Sequence, residues 1–141
     1  MKTVVFIGHN ECYEMFIEKL ESTIISCIEN GATHFISGGQ GGFDRICAGT
    51  VNRLKGKYPF IKNLLVIPYL SFNIFDKELF DEVIYPDGFE KYYFKAAIIE
   101  KNKYMVDNSQ IAICYVKREY GGAYKTYTYA KKKNLEIINL A

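Results

Sequence analysis

Ser37-Gly38-Gly39-Gln40-Gly41-Gly42-Phe43-Asp44 is the stretch on which the reading of this chain turns, because it interrupts an apolar run and hands over to a helical pattern. Before it, His34-Phe35-Ile36 has the character of a strand end. After it, Phe43, Ile46, Cys47, Val51 and Leu54 recur at a spacing that gathers them on one helix face. Strand, glycine loop, helix is an order that turns free backbone N–H groups and the positive end of a helix dipole toward an anion. The same glycines also suit a tight turn whose backbone needs positive φ. No Gly-Lys-Ser/Thr follows, and the loop fits G-x-G-x-x-G poorly, so the cofactors implied by those motifs find no support.

Outward from this loop, strand and helix patterns alternate. Val4-Val5-Phe6-Ile7 reads as a central parallel strand buried on both faces, ended by Gly8-His9-Asn10. Phe16, Leu20, Ile24 and Ile28 then recur every fourth residue, with Glu14, Glu18, Glu21 and Glu29 outward and Asn30-Gly31 as the stop. A strand over 33–36 leads into the glycine loop, and a helix is predicted from about Phe43 to Lys55, closed by Gly56 and Pro59. Residues 63–67 form a third strand, stopped by Pro68. Between Tyr69 and Glu90 the pattern weakens; residues 74–83 predict a short helix and Val83-Ile84-Tyr85 a strand. A helix over 91–106, a strand over 110–116, a second glycine turn at Tyr120-Gly121-Gly122-Ala123, a helix over 124–133 and a strand over 136–140 complete the chain.

This alternation predicts one α/β domain over residues 1–141: a doubly wound, mostly parallel Rossmann-like sheet with helices on both faces and right-handed crossovers. Ligands of such sheets sit beyond the carboxyl ends of the strands, where the strand order reverses. The loops at 8–10, 37–42 and 121–122 are therefore expected to meet around one binding site.

Bulk properties narrow the class. A chain of 141 residues, 49% hydrophobic and 24% charged, is ordinary for a globular domain. Its longest apolar run, residues 64–67 continuing past Pro68 to Tyr69-Leu70, is too short to span a bilayer, and the start lacks a signal-peptide pattern. A cytoplasmic protein without a membrane partner is expected. Cys12, Cys27, Cys47 and Cys114 contain no C-x-x-C pair, which favours buried free thiols over disulfides or a metal site. The net charge of +2 argues against a nucleic-acid coat. Residues 91–133 are nevertheless basic, ten Lys/Arg against Glu100, Asp107 and Glu119; solvated lysines on helix surfaces account for most of that.

Four pieces fall in a characteristic order: Phe6-Ile7-Gly8-His9, Ser37-Gly38-Gly39 with Gly42 and Asp44, Lys101-Asn102 with Met105-Val106-Asp107, and Gly121-Gly122. They match F-x-G-H, S-G-G-x-x-G-x-D, R-N-x-x-M-V-D and G-G-T, so the chain resembles the YpsA-like branch of the SLOG superfamily. That Rossmann-like group also holds the LOG cytokinin-activating enzymes and the DprA DNA-processing proteins. The resemblance implies a nucleotide or nucleotide-derived small molecule near the two glycine loops, no required cofactor, and a sensor or regulator rather than a catalyst. It carries over onto Gly8, His9, Asn10, Ser37, Gly38, Gly39, Gln40, Gly41, Gly42, Asp44, Lys101, Asn102, Asp107, Gly121, Gly122 and Ala123 as the candidate ligand-binding set. The chain also departs from the pattern. Asn10 and Lys101 stand where the family has arginines, Gln110 replaces an acidic residue, and Ala123 replaces the threonine of G-G-T. Two bidentate forks suited to phosphate or carboxylate are thereby lost.

Single residues read two ways. Asp44, in the first turn of its helix, stabilises that helix by itself or accepts hydrogen bonds from ribose hydroxyls. Ser37 at a strand end is placed for a ligand or satisfies its turn. His9 has the intrinsic pKa of a general acid or base, and a histidine there also serves to bond a neighbouring loop; His34 reads as structural. Asp107 is expected to close a helix near the ligand edge. The glutamate of the LOG motif P-G-G-x-G-T-x-x-E is replaced at the equivalent offset by Thr126, whose hydroxyl is no general acid or base near neutral pH. Phosphoribohydrolase activity is thus an alternative, and DprA-like binding of single-stranded nucleic acid by the tyrosines and lysines of residues 120–133 a second. The sequence leaves a homo-oligomer open.

Overall fold

The computed structural model describes residues 2–12 and 16–141. Its strands β1 (Lys2–Gly8), β2 (Ala32–Ser37), β3 (Lys62–Val66), β4 (Glu82–Ile84), β5 (Ile111–Tyr115) and β6 (Glu136–Asn139) form one sheet in the order β4-β3-β2-β1-β5-β6. Every neighbouring pair is parallel. Between them lie α1 (Ile17–Glu29), α2 (Gly41–Leu54), α3 (Phe94–Asp107) and α4 (Gly122–Lys132). This is the doubly wound α/β sheet expected from the alternating pattern.

The period of two along each strand sorts side chains into two cores. Val4, Phe6, Phe35, Ile111 and Ile113 pack with Leu20 and Ile24 of α1 and Phe43, Cys47 and Val51 of α2. Val5, Ile7, Ile36, Leu64, Val66, Ala112 and Cys114 face the other way, onto Met105 and Val106 of α3 and Ala130 of α4. Both faces of the central strands are covered, which explains their uninterrupted apolar runs. The chain steps from β1 out to β4 on one side and returns to place β5 on the other. The order therefore reverses between β1 and β5, and the crevice there opens at their carboxyl ends.

Three expectations shift. Helix α2 starts at Gly41, so the last two glycines of the loop belong to its first turn. Residues 74–83 form no α-helix, only a 3-10 turn at Lys77–Leu79 entered through Asp76 at φ 54°. This segment is pinned by β3 instead: the Asn63 side-chain amide donates to the carbonyls of Ala48 and Leu79, at 3.0 and 2.9 Å, while its backbone N–H donates to Asp81 Oδ2 at 2.7 Å. Helix α3 begins only at Phe94, after a 3-10 turn at Phe89–Lys91, because Phe89 is buried among Tyr85, Tyr92 and Tyr104. The expected strand near residue 83 is β4. Glu18 and Glu29 are exposed and Glu21 half-buried on α1; Glu14 lies outside the described residues. Among the described residues no helix is long and apolar enough to cross a membrane.

Candidate functional site

A cavity of about 470 Å³ occupies the crevice at the carboxyl ends of β1 and β5. Four segments line it: the end of β1 through Asn10, the start of α2 (Gln40, Gly41, Asp44), one stripe of α3 (Ile98, Lys101, Asn102, Met105), and the β5–α4 connection (Arg118, Gly121, Gly122, Ala123, Thr126). The α3 residues recur at i, i+3, i+4 and i+7, which places them on one face. Turns far apart in the chain thus share one rim. Gly8, His9, Asn10, Gln40, Gly41, Asp44, Lys101, Asn102, Gly121, Gly122 and Ala123 all border it.

The first glycine loop behaves differently from the sequence expectation: its missing side chains make room for protein. A Cβ on Gly38 would lie 2.6 Å from Lys101 Nζ. One on Gly41, which sits at φ +82°, would lie 2.6 Å from the Asn10 Cα, and the Gly42 N–H donates to the Asn10 carbonyl at 2.8 Å. Ser37, Gly38, Gly39 and Gly42 are not among the residues lining the cavity. Ser37 is buried at the end of β2, where its Oγ has no hydrogen-bond partner among the described residues.

Gln40 organises what remains of that loop. Its side-chain carbonyl accepts a hydrogen bond from Lys101 Nζ at 2.7 Å, and its backbone N–H donates to Asp44 Oδ2 at 3.0 Å. Both charged side chains are nearly inaccessible, Lys101 at 1% and Asp44 at 9% exposure. Burial pushes the Asp44 carboxyl up to about 6, against the opposing pull of Lys101 and the Gln40 N–H. It pushes the Lys101 ammonium down to about 8, against the pull of Asp44. Each charge thus favours the charged form of the other, against the cost of burial. Asp44 therefore does double service: it occupies the positive start of α2 and borders the cavity.

The second glycine turn is the open one. Gly121 has φ +92°, and a Cβ at Gly121 or Gly122 would meet nothing within 4 Å. Helix α4 has no side-chain N-cap and no acidic residue in its first turn, while Lys131 and Lys132 lie in its last. Its leading N–H groups have no intrahelical acceptors and stand at the cavity with the positive end of the dipole. Arg118 lies on the same wall, its guanidinium 5.3 Å from the Tyr120 ring centre. Thr126, where the LOG glutamate would stand, donates its hydroxyl to the Gly122 carbonyl at 3.0 Å.

His9 links the two sides of the crevice. Its N–H donates to the Tyr115 carbonyl at 3.3 Å, and Nε2 accepts from the backbone N–H groups of Lys117 at 2.9 Å and Arg118 at 3.4 Å. Those acceptor bonds place the ring proton of the neutral imidazole on Nδ1. Burial, then the charges of Arg118 and Lys117, hold its pKa below the usual histidine value. Asp107 is a correction. It closes α3 at the amino ends of the strands, where the following Gln110 N–H bonds the Thr3 carbonyl, and its own carboxylate accepts from the Tyr129 hydroxyl at 2.8 Å. The helix runs back toward those ends, so its last residue stands away from the ligand edge. Arg118, Ile98 and Met105 were missed from the sequence; the basic residue three before Gly121 was the only signal available for Arg118.

Comparisons with known proteins bear on the family and the fold. The YpsA family model, described as the YspA SLOG family, matches residues 2–139. A SPbeta prophage-derived protein of Bacillus subtilis strain 168, YoqJ, itself described as uncharacterized, is 27% identical over 142 residues, covering 83% of each chain. Two DprA structures share the fold at 18% identity. That from Helicobacter pylori superposes with a TM-score of 0.67, over 96% of this chain and 63% of its own, and is described for its single-stranded DNA binding mode. That from Streptococcus pneumoniae superposes with a TM-score of 0.69, over 96% of this chain and 49% of its own. The present chain thus spans less than two thirds of either DprA chain.

Proposed function

We propose, from the premise that this chain belongs to the YspA SLOG family, that it binds a nucleotide or nucleotide-derived anion in the cavity between β1 and β5, acting as a sensor or regulator. The observation that carries this reading is the uncapped start of α4. It opens with Gly121 and Gly122 onto a cavity of about 470 Å³ that Arg118 also borders. Backbone N–H groups and a helix dipole hold an anion without the arginine forks that Asn10 and Lys101 replace. Asp44 is matched by Lys101 through Gln40, so the acidic group beside the cavity is already compensated.

A thermal-shift series with AMP, cyclic nucleotides, NAD and ADP-ribose tests this. A ligand held at one hundred times its dissociation constant raises stability by about 2.7 kcal/mol. A series with no shift for any member would remove the reading. Free base released in the same mixtures would instead favour N-glycosidic hydrolysis, a reaction for which Thr126 offers no carboxylate.

Exposed Tyr93 and Tyr120 with neighbouring lysines favour a second reading, single-stranded nucleic acid, the ligand described for the Helicobacter pylori DprA protein. It predicts a shift with oligonucleotide alone that disappears as salt is raised.

A further inference from the structure

Helix α3 lines the cavity with Ile98, Lys101, Asn102 and Met105, and one turn before Ile98 the same face carries Phe94, the first residue of the helix. Phe94 is 63% exposed. Its ring centre lies 4.4 Å from that of Tyr69, which in turn meets Phe72 edge-on at 5.9 Å. Phe72 reaches the first glycine loop, 3.6 Å from where a Cβ on Gly39 would stand. Phe72, Tyr69 and Phe94 thus make a continuous aromatic wall from the turn beside Gln40 to the start of α3. One end of the wall lies against the glycine next to Gln40 and the other lies one turn before Ile98, and both Gln40 and Ile98 line the cavity.

We infer that this wall is a stacking subsite for a planar aromatic ring, the nucleobase of a ligand whose anionic group sits at the start of α4. The inference rests on the reading under Proposed function and adds to it which part of the ligand is recognised and where. A ring face accepts any nucleobase, because stacking needs a π-surface and not a particular edge. The subsite therefore selects nucleotides over base-free sugar phosphates and discriminates weakly among bases.

Calorimetric titration of the full chain with AMP and with ribose 5-phosphate tests it, using the wild type, Phe94→Leu and Tyr69→Leu. Phe94→Leu changes a largely solvated ring and leaves both cores intact; circular dichroism verifies the fold. AMP is expected to bind the wild type more tightly than ribose 5-phosphate by on the order of tenfold. Phe94→Leu should erase that advantage while ribose 5-phosphate binds as before. Equal affinities in the wild type, an AMP advantage that survives both substitutions, or an equal loss for both probes would overturn the subsite and leave the anion site standing. Failure of the wild type to bind either probe would overturn the anion site as well.

Discussion

At the residue scale, the two glycine turns look alike in the sequence and do opposite things. Gly41 exists because Asn10 lies against it, and Gly122 has open space where a side chain would be. An alanine at 41 must adopt φ near +82° and displace Asn10, so Gly41→Ala is expected to lower stability by about 2 kcal/mol or more in urea unfolding. Gly122→Ala relieves backbone freedom in the first turn of a helix, and its stability should stay level or rise by about 0.4–1 kcal/mol. Its methyl group nevertheless faces the cavity, and the nucleotide-dependent thermal shift should shrink. A Gly122→Ala protein with an undiminished shift would place the anion elsewhere.

At the element scale, the difference lies in what each helix start has to satisfy. The start of α2 is occupied: the Gly42 N–H bonds the Asn10 carbonyl, and Asp44 accepts the Gln40 N–H. The start of α4 has no side-chain cap, and the loop before it is held in place by His9. That clamp is pH-sensitive with a definite sign. His9 keeps Nε2 as an acceptor only when neutral, and its folded pKa lies below the ordinary 6.5. Its contribution to stability is therefore complete above that value and lost as pH falls through the folded pKa. The melting temperature should fall in this acid range, and His9→Gln, whose side-chain carbonyl can accept the same N–H groups without titrating, should flatten that part of the profile. An unchanged profile in the variant would assign the titration to another group.

At the scale of the whole molecule, the Asp44–Gln40–Lys101 relay joins α2 on one face of the sheet to α3 on the other. Burial shifts both groups away from their charged forms, and the signs follow. Asp44, raised to about 6, contributes stability below its ordinary 3.8, lost as pH rises through about 6. Lys101, lowered to about 8, contributes stability above its ordinary 10.5, lost as pH falls through about 8. All three residues of the relay line the cavity where the two layers meet. Asp44→Asn alone strands a buried ammonium and should cost about 3–5 kcal/mol, whereas adding Lys101→Met should recover most of it. Strictly additive losses in denaturant unfolding would show that the two layers are not coupled through this relay.

The sequence by itself determined the alternation of strand and helix, the faces that are buried, and the three turns that meet at the crevice. Those features follow from periodicity and turn chemistry within short windows, as Val4-Val5-Phe6-Ile7 and the Phe16 to Ile28 repeat illustrate. Residues 74–83 escaped that reading because Asn63, on a distant strand, takes the Leu79 carbonyl with its side-chain amide and the Asp81 N–H with its own carbonyl, groups that a local helix would have used. Only the tertiary structure decided which glycines face a ligand, since the space beside Gly38 and Gly41 is filled by Lys101 and Asn10 from other segments. The tautomer of His9, the displacement of Asp107 from the rim and the stacking of Tyr69 on Phe94 belong to the same class. Each depends on packing between residues remote in the chain, which no local pattern encodes.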